Sequence, residues 1–147
     1  LSLIKILLRR KISLCSSRTL QMQNCFEMLD GKEDTYYHSN WSGVAPMPHW
    51  IQIALPKEST AVSIGYQIRH NNNNGAPLQY TLLGSPDGTA FSKITTVTEN
   101  LPTAKKAKYT SPVFVGKPFK YLRHSKNRYC FIKYCIIKRL FKVNHKS

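Results

Sequence analysis

The stretch AVSIGYQIR, residues 61–69, alternates apolar and polar side chains more regularly than any other part of the chain. One face carries the apolar residues Val62, Ile64, Tyr66 and Ile68. Because successive side chains of a strand point to opposite faces, this period of two predicts a strand with one buried face. The preceding stretch HWIQIAL, residues 49–55, alternates in the same way with Ile51 and Ile53 on its buried face, and Pro56 is expected to end it. Trp50 is also expected in the core.

Further short strands are predicted after residue 69. The stretch QYTLLGS, residues 79–85, leads into the turn signal PDG at residues 86–88, and FSKITTVT, residues 91–98, is rich in β-branched side chains. Residues 110–116 and 119–123 add two more candidates, and no helix with capping signals interrupts them. Strands at this spacing predict an all-β fold, an antiparallel β-sandwich of the jelly-roll type with functional loops at its ends.

The composition fits a single globular domain with an unusual charge. The chain has 147 residues with 41% hydrophobic and 20% charged residues, and no apolar run approaches the ~20 residues of a membrane-spanning helix. The net charge of +15 is typical of proteins that bind nucleic acid or acidic membranes. However, residues 30–123 carry only +4, and their basic cluster at residues 105–108 has Tyr109 as its single adjacent aromatic. We therefore expect no nucleic-acid partner.

Two basic flanking segments differ from the centre. Residues 1–28 place Arg9, Arg10 and Lys11 behind an apolar stretch, whereas a secretory signal places positive charge in front of it. A fragment of a signal or a short basic amphipathic helix are the alternatives to a poorly ordered terminus. Residues 124–147 lack Gly, Ala, Pro, Asp, Glu and Thr, which suggests translated non-coding or frame-shifted sequence, or else a basic membrane-surface helix. We expect few contacts between either segment and a domain at residues 29–123.

The segment DGKEDTYYHSNW, residues 30–41, is distinctive in the order of its residues. With PHWIQIAL at residues 48–55 and IGYQIRHNNNNGAPLQYTLLGSPDG at residues 64–88, it resembles the coagulation factor 5/8 type C family, also called discoidin domains. It is most similar to the family 32 carbohydrate-binding modules, whose pattern is roughly DGxxxTxWHxxW, then HWIxIDLG, a strand ending in Arg, a polar loop and SxDG. The resemblance covers about Leu29 to Arg123 and implies a galactose-binding-like jelly roll.

The sequence departs from this pattern at three positions and at its ends. Tyr37 stands where the family has Trp, while Ala54 and Pro56 stand where it has Asp and Gly. The strands that open and close the jelly roll are not recognisable outside residues 29–123. The resemblance therefore implies a fold that is incomplete at both ends and has unpaired sheet edges.

The resemblance implies a sugar site formed by His38, Trp41, Arg69 and Asn74. Galactose-binding relatives supply an imidazole and a stacking ring at the first two positions, and guanidinium and amide contacts at the last two. Sugars expose apolar C–H faces beside hydroxyls, so an aromatic plate with a few polar groups suits them. Arg can bond two vicinal hydroxyls, and Asn both donates and accepts. The structural alternatives are a histidine that hydrogen-bonds within the fold and a solvated loop at residues 71–74.

The resemblance also implies a structural calcium at residues 30–35. The oxygen ligands would be the Asp30 carboxylate, the Lys32 carbonyl, and the hydroxyl and carbonyl of Thr35. The alternative is an ordinary Asp-Gly turn without metal. The family draws a further carboxylate from its closing strand, and none follows Glu99 in this sequence. We therefore expect any calcium to bind weakly.

These features predict a non-catalytic carbohydrate-binding module that recognises a terminal, galactose-like sugar on a glycan or glycoprotein. Such a module is expected in an extracellular, cell-surface or periplasmic protein, as part of or derived from a larger multidomain chain. No enzyme is expected, because no opposed carboxylate pair, catalytic triad or phosphate loop occurs. The alternative is an adhesion module that binds phospholipid or a protein, although the polar loop at residues 71–74 disfavours insertion into a membrane.

Overall fold

The computed structural model describes residues 48–129 except Asn74, together with strands at residues 4–6, 12–15, 37–38, 136–137 and 139–146. Side chains are described for residues 48–126 except Pro56 and Asn74. The strands are β1 Ile4–Ile6, β2 Ile12–Cys15, β3 Tyr37–His38, β4 His49–Gln67, β5 Pro77–Ser85, β6 Ser92–Val97, β7 Lys108–Thr110, β8 Phe114–Tyr129, β9 Ile136–Ile137 and β10 Arg139–Lys146. In this part of the chain no helix is long and apolar enough to cross a membrane.

The described strands pair in antiparallel fashion throughout. Eight of them form one sheet along the path β1-β10-β4-β8-β5-β6, and β2 and β7 each pair with β4 as well. β3 and β9 form a separate two-stranded ladder. The prediction of an all-β, antiparallel fold is therefore confirmed.

Strand β4 organises the sheet because it pairs with different strands along its length. Its first half pairs with β2 and β8, and its second half pairs with β10, β7 and the start of β8. The sequence predicted a strand end at Pro56, and this is wrong, since β4 continues to Gln67. The β4–β8 register instead shifts between Ala54 and Ala61. A proline removes one donor from the ladder, and an irregular register accommodates that loss without ending the strand.

Two layers pack together around an aromatic group. The ring of Tyr66, on the second half of β4, lies 4.9 Å from that of Tyr109 on β7 and 5.9 Å from that of His124 on β8. His124 also stacks on Tyr80 of β5, with 4.5 Å between ring centroids. Because His124 is the register partner of Ile51, the second half of β4 lies over the layer built from its first half, β8 and β5. This packing of one layer on another is the predicted β-sandwich.

The core consists mainly of alternate residues from β4, β5 and β8. Its fully buried hydrophobic side chains are Ile51, Ile53, Leu55, Val62, Ile64, Tyr66, Ile68, Ala76, Tyr80, Leu82, Phe119 and Leu122. The six side chains that the sequence predicted to be buried are all among them, including Ile68, which lies just beyond the end of β4. The prediction that Gln79–Leu83 is a strand is confirmed within β5.

Trp50 was expected in the core, and this prediction is wrong. Its side chain is half-buried and lies next to Ile51 in the chain, so it points to the opposite face of the strand. There the Arg123 guanidinium carbon lies 3.9 Å from the Trp50 ring centroid and 3.9 Å from that of Phe91. Arg123 Nε also donates to Gln52 Oε1 at 2.9 Å. These contacts of Arg123 join β4 to β8 on the outer face of the sheet.

The flanking segments contribute strands to the sheet. β10 pairs with residues 61–67 of β4, β2 pairs with residues 51–53, and β8 crosses the predicted boundary after Arg123 and ends at Tyr129. The expectation of few contacts with the centre, and of unpaired edges on β4, is wrong for these strands. Strand pairing uses backbone N–H and C=O groups, so it does not require the side-chain alternation by which strands are recognised. The division of the chain into three segments stays a prediction.

A close approach between β5 and β8 gives a stability prediction at Gly84. A Cβ on Gly84 would lie 2.9 Å from the Cβ of the fully buried Phe119, so a strand must shift to admit it. We expect Gly84→Ala to lower the free energy of unfolding by about 1–3 kcal/mol in urea titrations. The control is Gly116→Ala, whose Cβ would meet the Ile94 side chain at 3.1 Å and should cost less. Equal losses in the two variants would contradict this explanation.

Candidate functional site

Two connections lie side by side at one end of the sandwich. We call residues 68–76 the Arg69 loop and residues 104–107 the lysine turn. The backbone N–H of Ile68 donates to the carbonyl of Ala107 at 2.9 Å, and that of Lys106 donates to the carbonyl of Arg69 at 3.0 Å. Gln67 Nε2 donates to the Lys106 carbonyl at 3.1 Å. These three bonds fix the two connections relative to each other.

Arg69 is held within its loop by both backbone and side chain. It lies two residues beyond the end of β4, rather than on the strand as predicted, and is 8% exposed. Its Nε donates to Asn71 Oδ1 at 2.6 Å, while its carbonyl accepts from Lys106. A guanidinium has five N–H donors, so it can serve the loop and a ligand together. The loop thus sets the orientation of the planar guanidinium before any ligand arrives.

The rest of the Arg69 loop turns the chain back into β5. Gly75 has a φ of 77°, a left-handed conformation that glycine adopts without steric cost, and Ala76 N–H donates to the Asn73 carbonyl at 3.1 Å. The side chain of Asn71 is exposed and that of Asn73 is half-buried. The asparagine run is therefore partly structural, since Asn71 orients Arg69 and Asn73 closes the turn.

The lysine turn presents positive charge beside Arg69. Ala107 N–H donates to the Ala104 carbonyl at 3.1 Å, which closes a β-turn with exposed Lys105 and Lys106 at its centre. Lys106 has a φ of 63°, in the left-handed region. Lys108 follows the turn as the exposed register partner of Gln67 in β4. The three lysines thus surround the end of β4 from which the Arg69 loop begins.

Of the four predicted sugar-binding residues, the side chain of Arg69 alone lies among those that the structure describes. His38 is placed in β3, where it pairs with Ile136 of β9. Trp41 and Asn74 lie outside the described residues, as does the predicted calcium turn with Asp30, Lys32 and Thr35. The convergence of the four residues and the calcium ligands therefore stay predictions.

Asn71 and Lys106 contact Arg69, and neither residue was assigned this role from the sequence. Asn71 lies two positions after the arginine, a spacing typical of short polar side-chain interactions within loops, and this signal was available in the sequence. Lys106 contacts Arg69 through backbone atoms at long sequence separation. Almost any residue type can make a backbone contact of this kind, so a single sequence gives no signal for it.

The described carboxylates lie on three separate elements. Glu58 is in β4, Asp87 is in the β5–β6 turn, and Glu99 is in the β6–β7 connection. Backbone N–H groups of Thr89 and Ala90 donate to Asp87 Oδ1, and these bonds hold the pKa of the carboxyl below its ordinary value. Asp87 therefore acts as a turn residue. Among the residues described here, no group of three or more His, Cys, Asp or Glu side chains is placed to hold a metal ion.

The structure is similar to solved carbohydrate-binding modules from Clostridium perfringens. CBM32-3 from a family 31 glycoside hydrolase has a TM-score of 0.77 and 21% identity, covering 93% of this chain and 90% of that one. CpGH89CBM32-5, in complex with GalNAc-β-1,3-galactose, has a TM-score of 0.74 and 19% identity, covering 91% and 93%. The family 32 CBM from NanJ, in complex with galactose, has a TM-score of 0.66 and 16% identity, covering 90% of each chain.

These similarities confirm the predicted jelly-roll fold. No curated protein is significantly similar to the chain in sequence. The family model of the F5/8 type C domain matches residues 13–124, which include the Arg69 loop and the lysine turn. The match begins within β2 and ends at His124 within β8. The chain therefore belongs to the F5/8 type C domain family.

Proposed function

We propose that the chain is a non-catalytic carbohydrate-binding module for a terminal, galactose-like sugar. The observation that carries this proposal is Arg69, whose guanidinium is held by Asn71 at the end of the sandwich, at a position where the family resemblance implies a sugar contact. Two structurally similar modules were solved with galactose or GalNAc-β-1,3-galactose. The family membership and the shared fold support a role in binding rather than catalysis.

The proposed mechanism is recognition by preoriented groups. The Arg69 guanidinium donates to two adjacent sugar hydroxyls, and Trp41 stacks against the apolar C–H face of the ring. His38 and Asn74 complete the site with one hydrogen-bonding group each. Because the loop fixes Arg69 before binding, little ordering of this side chain opposes association. A site for one sugar buries little area, so we expect a Kd in the micromolar to millimolar range, roughly −8 to −4 kcal/mol.

The proposed setting is a larger multidomain protein outside the cytoplasm. The similar Clostridium modules include one from a glycoside hydrolase, and others solved together with a catalytic domain in ZmpB. A module of this kind would hold its parent protein on glycans or glycoproteins at a cell surface or in the periplasm. Any catalysis would then reside in another domain.

A glycan array tests the proposed function and separates it from adhesion to lipid. The folded chain is applied at physiological salt to galactose- and N-acetylgalactosamine-terminated glycans, and in parallel to phosphatidylserine vesicles and duplex DNA. We expect binding to be confined to glycans with these terminal sugars. Binding to vesicles without binding to any glycan would favour the adhesion alternative and reject the sugar site.

We further propose a weak structural calcium at residues 30–35, with Asp30, Lys32 and Thr35 as oxygen ligands. A ligand that binds only the folded state raises the melting temperature by mass action. We therefore expect millimolar calcium to raise the melting temperature of the wild type and to leave that of Asp30→Ala unchanged. Asp87→Ala is the control, because Asp87 belongs to another turn, and it should keep the rise. A rise that persists in Asp30→Ala would place the ion elsewhere.

A further inference from the structure

We propose that the natural ligand of this site is an acidic glycan, in which a carboxylate or sulfate group lies next to the sugar held by Arg69. This inference rests on the proposed function and names its substrate class. The anionic group would contact the lysine turn and Lys108, while Arg69 binds neutral hydroxyls.

The placement follows from the hydrogen bonds that join the two connections. A single bond of 3.0 Å links the Lys106 N–H to the Arg69 carbonyl, and Gln67 Nε2 reaches the Lys106 carbonyl. Lys105 occupies the other central position of the same turn, and Lys108 pairs with Gln67 directly before the Arg69 loop. A sugar bonded to Arg69 would therefore lie at the end of the sandwich that carries these three exposed lysines.

Among the described residues, positive charges outnumber negative ones at this end of the sandwich. Glu58 and Asp87 lie at the opposite end, because Ser85, Tyr121 and Ala54 are register partners next to the β4 irregularity. Glu99 is the one described carboxylate on the connection that carries the lysine turn. Arg69 and the three lysines thus face a single carboxylate among the described residues, which favours an anionic ligand.

The backbone of the turn provides a second, independent observation. Lys106 is one of two described residues other than glycine with a positive φ, and it lies at the centre of the turn. Glycine or asparagine suits this region better, because a larger side chain clashes with the backbone. Residues held in such conformations cluster at functional sites. The strain at Lys106 is therefore consistent with a function for its ammonium group.

The orientation of Tyr109 argues against a single-stranded nucleic acid as the anionic ligand of the lysine turn. Tyr109, the aromatic next to the lysine cluster, turns inward: its ring packs on Tyr66 at 4.9 Å and its hydroxyl lies 2.7 Å from that of Tyr80. In this orientation Tyr109 does not offer a stacking surface to the bases of a single-stranded nucleic acid. Three lysines beside a sugar-binding arginine suit a small acidic saccharide better than a polynucleotide.

The test compares neutral, carboxylated and sulfated forms of one galactoside by titration. We expect the wild type to bind a carboxylated or sulfated galactoside about tenfold more tightly than the neutral parent, because charge-assisted bonds are stronger than neutral ones. The preference should disappear in 1 M salt, where the Debye length is about 3 Å. The two acidic forms separate a carboxylate from a sulfate preference, and a preference for either supports the proposal.

Two sets of variants assign the preference to the lysine turn. The double variant Lys105→Gln, Lys108→Gln should bind neutral galactoside as the wild type does and lose most of the preference for acid. The matched control Lys57→Gln, Lys120→Gln removes the same charge from exposed lysines near the β4 irregularity and should keep the preference. Lys106→Gly alone should weaken the preference without lowering the melting temperature, because glycine tolerates the positive φ.

The failures of the two proposals are distinguishable. Equal affinity for neutral and acidic galactosides, or a preference that the lysine-turn variant retains, would overturn the acidic-ligand proposal and leave the sugar site in place. Binding of the wild type to phosphatidylserine vesicles in preference to every glycan would overturn it in favour of a membrane surface. Absence of binding to any galactoside, neutral or acidic, would reject the proposed function itself.

Discussion

Replacing Arg69 or Trp41 with alanine is expected to weaken the binding of galactose by about 5- to 150-fold. Arg69→Ala removes the guanidinium donors, and Trp41→Ala removes the stacking plate. Each change should cost on the order of 1–3 kcal/mol of binding free energy if ligand groups are left without partners. Either loss raises the Kd about 5- to 150-fold, which moves a Kd near 1 mM beyond the usual titration range.

Two further variants separate recognition by Arg69 from its structural role. Arg69→Lys keeps the positive charge but lacks the planar fork, so it should bind nearly as poorly as Arg69→Ala. Asn71→Ala leaves the guanidinium in place and removes the acceptor that orients it at 2.6 Å, so it should weaken binding by a smaller factor. Melting temperatures measured on the same samples control for unfolding. Folded variants of Arg69 and Trp41 that bind as the wild type does would move the site elsewhere.

The stability of the domain should fall as the pH falls below about 6.5, and His124 should account for much of this loss. His124 is 1% exposed, and in the described part of the structure neither of its ring nitrogens has a hydrogen-bond partner. Burial, followed by the charge of Lys126, lowers the pKa of His124 well below its ordinary value of 6.5. The other described groups that face its ring are Tyr66 and Tyr80, and burial raises the pKa of Tyr80.

The direction of this effect follows from proton linkage. Below pH 6.5 the unfolded chain binds a proton at residue 124 that the folded chain does not, so stability present at neutral pH decreases on acidification until the folded pKa is reached. One such group contributes about 1.4 kcal/mol for each pH unit. Urea unfolding at several pH values should show this slope for the wild type, and a shallower one for His124→Phe. The phenylalanine keeps a ring on Tyr80 but cannot be protonated. An unchanged slope in His124→Phe would contradict the assignment.

The strands of the core could be predicted from the sequence because their alternation reports burial directly. Residues 62–68 alternate without interruption, and their apolar members are all buried. The same rule assigns Trp50 to the outer face, since it lies beside Ile51. Trp50 had nevertheless been expected in the core. Arg123 and Phe91 cover the Trp50 ring there. Alternation thus identified the hydrophobic core face of β4, although Ser63 and Gln67 on the other face are buried as well.

Features that depend on backbone pairing were not accessible from the sequence. Pro56 predicted the end of a strand, but β4 continues past it, and the register between β4 and β8 shifts in this region. β10 pairs with β4 although residues 139–146 show no clear alternation. The alignment of the lysine turn with the Arg69 loop depends on backbone bonds between Lys106, Arg69 and their neighbours. Each of these features is fixed by N–H and C=O groups that every residue type except proline supplies.

The central claim is that the end of the sandwich carrying Arg69 binds a terminal sugar, and amide chemical-shift mapping tests it most directly. The folded chain is titrated with galactose at physiological salt while the shifts of its backbone amides are followed. We predict saturable shifts in the Arg69 loop and the lysine turn, with a Kd in the micromolar to millimolar range, and none in the β5–β6 turn at the opposite end. Saturable shifts centred on that opposite end, or no shift at saturating galactose and N-acetylgalactosamine, would contradict the claim.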